Sequence, residues 1–246
     1  MNPIRVGIAG WSNPPAHRSK RADAQSHLAY YARHFDCVEI NSSFYRSHRR
    51  ETYQRWCDST PARFRFAVKM PRCITHESGL RNTRRELSAF FAQIEGLGRK
   101  LAVILIQLPP SLEFTARTVG TFFQGLPRLP DLHLVCEPRH VSWFSKNADA
   151  VLLRAGVSRA AVDPAIIGAA ALPAGDRQFA YYRWHGSPRM YYSSYRAAQL
   201  TSLAKTLCAA EQREAWCIFD NTARHAAWRN AANLESALHR MRRRGR

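Results

Sequence analysis

Several signatures are missing from this 246-residue chain. No two of its six cysteines are spaced C-x-x-C, and none show zinc-ligand spacing, which argues against a structural zinc site. Cys37, Cys136 and Cys217 lie inside apolar, strand-like runs and read as small core residues. No apolar run is long enough to cross a membrane. The opening "MNPIRVGIAGW" enters a strand at once, so neither a signal peptide nor membrane association is expected. These absences predict a reduced, cytoplasmic protein. No P-loop and no hydrolase nucleophile elbow is present. Lysine is scarce too: Lys20, Lys69, Lys100, Lys146 and Lys205 are the only five among 37 basic residues. The formal charge of +19 alone would suggest nucleic acid. The arginine bias and the scatter of the charges point instead to composition, so nucleic acid is an alternative partner and not the favoured one. Two basic clusters stand out, "HRSKR" (17–21) and the tail "RMRRRGR" (240–246). The tail reads as a solvated helix end, where cations suit the macrodipole.

What is present is an alternating pattern. Eight short apolar runs recur: "RVGIA" (5–9), "CVEI" (37–40), "FRFAVK" (64–69), "LAVILIQL" (101–108), "LHLVCE" (132–137), "VSRAAV" (157–162), "FAYYRW" (179–184) and "WCIF" (216–219). Helical segments separate them at 26–35, 50–59, 84–97, 116–126, 147–156, 197–210 and 222–241. The stretch 163–176 after the sixth run reads as a loop or a short turn. Strands alternating with helices imply parallel pairing through right-handed crossovers. Eight such units at this length predict an α/β fold, a (β/α)8 TIM-type barrel in a single domain. A doubly wound open sheet is the alternative. Its glycine-rich first turn is missing, because "GIAGW" offers only Gly7 and Gly10.

The ends of the runs carry the functional signal. They present Trp11, then Glu39 and Asn41, Lys69, Gln107, Glu137 with Arg139, Asp163, Arg183 with His185, and Asp220 with Asn221. In a barrel these ends share one face, ringed by loops, where catalytic groups sit. Alternation along "VEINSSFYR" (38–46) predicts Glu39 and Asn41 toward the pocket and Val38 and Ile40 on the opposite side. The bland explanation is a set of ion pairs bracing the mouth. A ring of mixed charge in a concave mouth is also what a site needs.

The stretches "GWS", "VEINSSFYR", "RFAVKMPRCITHE", "QLPPSL", "EPRHVSWF", "YYRWHGSPRMYYSSY" and "FDNTARHAAWRNA" follow one another from about Gly7 to Leu234. In content and order they resemble the motifs of the domain of unknown function 72 family, the YecE-like proteins. The resemblance implies a TIM-type barrel and no particular reaction. The family's loose description as sugar isomerase-related is a fold-level analogy. Many members carry an aromatic-rich segment after "GWS"; this chain has "NPPAHRSKR" there.

The residues themselves suggest roles. Lys69 could serve as a base or a Schiff-base nucleophile if burial and nearby cations lower its pKa, or it could pair with Glu39 or Glu137. His76 in "ITHE" could exchange protons near neutral pH or brace its loop. Glu39 and Glu137 could act as base and acid, and Asp220 completes the catalytic candidates. No cofactor is expected from motifs. Mg2+ or Mn2+ would suit Glu39, Glu137, Asp163, His185 and Asp220, but Lys69, Arg139 and Arg183 would compete for the same carboxylates. Arg139 and Arg183 suit an anion. Trp11, Trp143 and Tyr195, with Tyr191 and Tyr192, offer flat faces for a sugar ring or a base. Asn41, Gln107, His185 and Asn221 complete the binding candidates; Asp220-Asn221-Thr222 would also serve as helix capping. The favoured expectation is an enzyme using acid/base chemistry, isomerase- or lyase-like, on a small anionic or sugar-like metabolite. The alternatives are a hydrolase of a glycosidic or phosphoester bond and a nucleic-acid or nucleotide binder.

Overall fold

Apolar, β-branched runs become strands and the amphipathic segments between them become helices, in the alternating order the pattern predicts. The computed structural model describes residues 2–12, 14 and 26–244. Its strands are β1 (Ile4–Ile8), β2 (Cys37–Ile40), β3 (Arg65–Lys69), β4 (Leu101–Gln107), β5 (His133–Glu137), β6 (Val157–Arg159), β7 (Ala161–Asp163), β8 (Ala174–Gly175), β9 (Phe179–Trp184) and β10 (Glu214–Phe219). Its α-helices are α1 (His27–Tyr31), α2 (Arg50–Asp58), α3 (Arg84–Ile94), α4 (Ala116–Gln124), α5 (Lys146–Arg154), α6 (Ala197–Ala209) and α7 (Ala226–Arg244). Serine side chains start two of them: Ser26 Oγ accepts from Ala29 N at 3.0 Å, and Ser145 Oγ accepts from Ala148 N at 3.2 Å.

The strands form two sheets, ordered β1-β10-β9-β7 and β2-β3-β4-β5-β6-β8. Every pair is parallel except β6 with the two-residue β8. A single parallel bridge, Ala9 to Glu39, links β1 to β2, and Gly10 N donates to Glu39 O at 2.8 Å. Gly7 permits this close approach. A Cβ there would lie 2.6 Å from Cys37 O and 2.8 Å from Cys37 Sγ.

The sixth apolar run differs from expectation. It is two short strands interrupted at Ala160, because it changes partners along its length. β6 pairs with β5, Ala160 N donates to Cys136 O at 2.8 Å, and β7 then pairs with β9. The loop expected at 163–176 holds a 3-10 turn, Gly168–Ala171, and β8. The first helix is shorter than 26–35, and its last turns are irregular. The last helix begins at Ala226, four residues later than expected, after a turn in which His225 has a φ of 57°.

Strand alternation separates two apolar clusters. The larger contains Val6, Ile8, Val38, Ile40, Phe66, Val68, Ile104, Ile106 and Phe219, packed against the helices. The smaller contains Ala9, Cys37, Ala67, Val103, Leu105, Val135, Phe179, Tyr181, Trp216 and Ile218. The smaller draws on both sheets, so their facing sides share one inner core. Burial at both faces explains why the strands read as continuous apolar runs. Among the described residues no helix is long and apolar enough to cross a membrane, and all six cysteines are free thiols.

Candidate active site

Alternation carries the inner core up to a polar layer. Two residues beyond Cys37 lies Glu39; beyond Ala67, Lys69; beyond Leu105, Gln107; beyond Val135, Glu137; beyond Tyr181, Arg183; and beyond Ile218, Asp220. The side-chain period of two therefore delivers six polar groups to the same end of the inner core.

Arg183 is the hub of this layer and is fully buried. Its Nε donates to Glu39 Oε2 at 2.9 Å, and its Nη2 donates to Glu39 Oε1 at 2.7 Å. Nη1 donates to Glu137 Oε2 at 2.6 Å and Nη2 to Asp220 Oδ2 at 3.1 Å. Around it, Tyr181 Oη donates to Glu39 Oε2 at 2.9 Å, and Arg139 Nε and Nη2 donate to Glu137 Oε1 at 3.1 and 3.0 Å. His185 bridges two acids: Nδ1 lies 3.0 Å from Asp220 Oδ2, and Nε2 lies 3.4 Å from Glu137 Oε1.

Buried charge is tolerated only when paired and hydrogen-bonded, and these carboxylates are both. Burial by itself would raise the Glu137 pKa. Arg183, His185 and Arg139 reverse that and hold it well below the usual carboxylate range. Asp220 follows the same logic: burial pushes it up, and Arg183, His185 and Lys69 bring it below its ordinary value. Burial disfavours the His185 imidazolium, yet Glu137 and Asp220 raise its pKa overall.

Lys69 stands apart. It is only 6% exposed, and its Nζ lies 4.1 Å over the centre of the Phe44 ring. Among the described residues no carboxylate oxygen lies within 4.0 Å of it. Burial, then the Arg183 charge, bring its pKa down to about 8 against the pull of Glu39, Glu137 and Asp220. The expected alternative, a direct Lys69 pair with Glu39 or Glu137, is therefore corrected: Arg183 and Arg139 have taken their oxygens. His76 sits on the π-helical turn Cys73–Glu77 after β3, its ring centre 4.9 Å from that of Phe44. Thr75 Oγ1 lies 2.9 Å from its Nδ1. Burial, followed by Lys69, Arg139 and Arg72, lowers its pKa, which favours neutral imidazole.

The remaining candidates divide into two groups. Asn41 is half-buried just after β2, with Nδ2 3.4 Å from Asp220 Oδ1 and a buried Oδ1 that has no partner. Gln107 ends β4 opposite Glu137 in the ladder. Trp11 is half-buried, edge-on to Trp56 at 5.0 Å, and with Gly10, Ser12, His27, Asn41 and Ser42 it lines a cleft of about 270 Å³. Arg139 keeps 23% of its side chain exposed.

Four other expected ligand contacts are corrected, because internal partners hold each side chain. Arg183 has all three nitrogens engaged by carboxylates. Trp143 is fully buried, donating Nε1 to Leu112 O at 2.8 Å. Tyr195 Oη donates to Asp163 Oδ1 at 2.7 Å and accepts from Gly186 N at 2.8 Å. Asn221 donates Nδ2 to Ser193 O and Asn230 Oδ1, both at 2.8 Å, while its buried Oδ1 has no partner. Tyr191 and Tyr192 are the exposed aromatics of that loop, with Arg189 stacked 4.1 Å over Tyr192. Tyr181 and Phe44 were not among the candidates. Alternation would have found Tyr181, two residues before Arg183 on the inner side.

The expected acid/base pair of Glu39 and Glu137 is also changed, since every oxygen of both accepts from a guanidinium or a phenol. Among the described residues no group of His, Cys, Asp or Glu side chains is arranged to hold a metal ion. The Arg183 guanidinium occupies the centre of the carboxylates that would share one, so this donor set does not fit Mg2+ or Mn2+. Apart from Pro14, the "NPPAHRSKR" segment lies outside the described residues, as do positions 245–246 of the basic tail.

The family profile described as "Protein of unknown function DUF72" matches residues 5–245. UPF0759 protein YecE of Escherichia coli is 30% identical over 165 residues, 67% of this chain and 58% of YecE. UPF0759 protein YunF of Bacillus subtilis is 28% identical over 148 residues, 58% of this chain and 52% of YunF. Both matches span less than two thirds of those relatives. Among solved structures, a DUF72 family protein from Thermotoga maritima is similar with a TM-score of 0.80 at 23% identity, covering 96% of this chain and 99% of that one. Another from Enterococcus faecalis gives 0.77 at 22% identity, covering 96% and 95%. These likenesses concern the fold.

Proposed function

The chain belongs to the DUF72 family, whose description states no reaction, and from its polar layer we propose an enzyme that moves protons on a small anionic metabolite. Lys69 and His76 are the exchanging groups in this reading, and Arg139 holds the anion. We infer also that the two sheets close into a (β/α)8 barrel in one domain, with this layer at its mouth. The Ala9–Glu39 bridge on one side and the partner change at Ala160 on the other support that closure. Six free thiols fit a cytoplasmic setting.

The observation that carries the reading is a buried lysine outside the ion-pair cluster. Glu39, Glu137 and Asp220 are gathered by Arg183, with Arg139 on Glu137 and His185 beside Glu137 and Asp220. Lys69 joins none of these pairs: among the described residues no carboxylate oxygen lies within 4.0 Å of it. A site so arranged either recruits an anion or releases the lysine proton near neutral pH, and both serve isomerase- or lyase-like chemistry. Arg139 binds Glu137 through Nε and Nη2, lies beside the Tyr191 side chain and stays partly exposed. A glycosidase is less well supported, because it needs a carboxyl that stays protonated, and Glu137 is held low.

A thermal-shift screen of sugar phosphates, sugar acids and nucleotides tests the proposal. A ligand at 100 times its Kd adds about 2.7 kcal/mol. A shift lost in Arg139→Ala supports an anion site at the mouth. No shift with any small anion, beside a salt-sensitive shift with oligonucleotides, would favour nucleic-acid binding. That second reading draws on the exposed Arg189–Tyr192 stack, with Arg224 also over Tyr192 at 5.9 Å.

A further inference from the structure

We infer that Lys69 is a covalent nucleophile that forms an imine with the aldehyde or keto group of a small anionic substrate. The inference rests on the anion site proposed above and names the substrate class: a carbonyl compound that also carries a carboxylate or phosphate.

The geometry separates this lysine from an ordinary ion-pairing one. Three acids lie in the same layer, yet all of them are gathered by Arg183 and its neighbours, and the amine is left facing an aromatic ring. An ion-paired lysine is locked as ammonium and cannot attack a carbonyl. Lys69 has no such lock. Burial keeps water from the nitrogen, which favours the neutral amine against the cation–π pull of the Phe44 face and protects an imine from hydrolysis.

Its backbone is also fixed. Ser43 Oγ donates to Lys69 O at 2.6 Å, and the next residue, Met70, donates N–H to Leu105 O at 2.8 Å. The side chain therefore projects from a rigid strand end, which aims a nucleophile better than a mobile loop does.

The surrounding charges suit the chemistry as well. Facing Lys69 are Arg183, Glu39, Glu137 and Asp220, with His76 on the loop above. Neutral Nζ adds to the carbonyl carbon. The C–N bond forms as the C=O π pair moves to oxygen. That oxygen collects two protons, one from the new ammonium and one from solvent relayed through His76, and leaves as water. Nitrogen keeps one proton in the resulting iminium. The iminium withdraws electrons from the adjacent carbon, so a C–H there becomes acidic enough for His76 to remove. The proton transfer proposed above is thereby given a chemical driving force. Arg139, partly exposed beside the cluster, holds the substrate's anionic end.

The test is reductive trapping on the full chain. The protein is incubated at pH 8 with borohydride and either pyruvate, which carries a carboxylate, or dihydroxyacetone phosphate. Peptide mass mapping then locates the adduct, which adds the mass of the probe less one oxygen. At that pH Lys69 has on the order of a hundredfold more neutral amine than an ordinary lysine. Labelling of Lys69 should exceed that of Lys20, Lys100, Lys146 and Lys205 by more than about tenfold and fall in Arg139→Ala. Because the wild-type chain reports its own site, the result does not depend on a variant that folds. Absence of a Lys69 adduct with both probes, or labelling no stronger there than at the other lysines, overturns the imine. Melting temperatures of the same samples separate the two claims. A probe that stabilises the wild type but not Arg139→Ala, without an adduct, removes the imine and leaves the anion site. Neither an adduct nor a shift removes the imine and counts against the anion site too.

Discussion

Replacing Arg183 with methionine should reverse the way stability responds to acid. The guanidinium makes four hydrogen bonds of 2.6 to 3.1 Å to three acids and is fully buried. Removing one partner of a buried ion pair costs about 3–5 kcal/mol, because the other is left buried and uncompensated. A typical domain has about 5–15 kcal/mol in total, so the variant should fold but be fragile. In the wild type, Glu137 and Asp220 have folded pKa values depressed below the unfolded ones. Their contribution is present above the unfolded carboxylate range and lost as pH falls through the lower folded values. In Arg183→Met, burial acts without its main counter-charge and pushes both groups up. The folded state then binds the extra protons, so stability falls as pH rises from about 4 toward neutrality. Urea denaturation at pH 5 and pH 7.5 checks this. The variant should lose about 3–5 kcal/mol at pH 7.5 and clearly less at pH 5. An equal loss at both, or a loss under about 1 kcal/mol at pH 7.5, would refute the view that Arg183 is the counter-ion of the cluster.

Three further outcomes follow from the same geometry. Lys69→Met should remove a pH dependence of stability: the folded pKa is about 8, so the burial penalty on the ammonium is full below that value and disappears as pH rises toward 10.5. The wild type should gain up to about 3 kcal/mol relative to the variant between pH 7 and 10.5, measured by denaturant melts; a constant difference would refute the assigned burial of charge. Tyr181→Phe removes one donor to Glu39 and should cost about 1 kcal/mol in urea melts, since Arg183 still serves that carboxylate. Gly7→Ala should cost about 1–3 kcal/mol in the same melts, because the new methyl meets the Cys37 backbone, which cannot swing aside.

Much of the polar layer was legible because alternation is a local rule. Once "CVEI" is a strand with Val38 and Ile40 against the helices, Glu39 faces the other way. The same step assigns Lys69, Gln107, Glu137, Arg183 and Asp220. What alternation does not give is the pairing among them. Glu39 and Arg183 are 144 positions apart, and which acid meets which cation depends on sheet register and shear. Hence Arg183 read as a ligand for an external anion when its anions are internal. Tyr195, Asn221 and Trp143 were misjudged for a related reason. Their types suit ligand contact, but backbone groups at Gly186, Ser193 and Leu112 compete for the same atoms. The sixth apolar run read as one strand because residue propensity is blind to a change of pairing partner at Ala160.

Glu39 belongs to both halves of the molecule at once. Its backbone, on β2, meets Ala9 and Gly10, and its carboxylate reaches Tyr181 and Arg183 on β9 of the other sheet. It therefore acts as a rivet whose grip depends on charge. A molecule that draws Arg183 or Lys69 toward itself would alter the tension on that rivet, and the seam between β1 and β2 would feel it. The Gly10 amide, bonded to Glu39 O, then becomes a reporter: its hydrogen-exchange rate should change on ligand binding although it contributes no charge to the site.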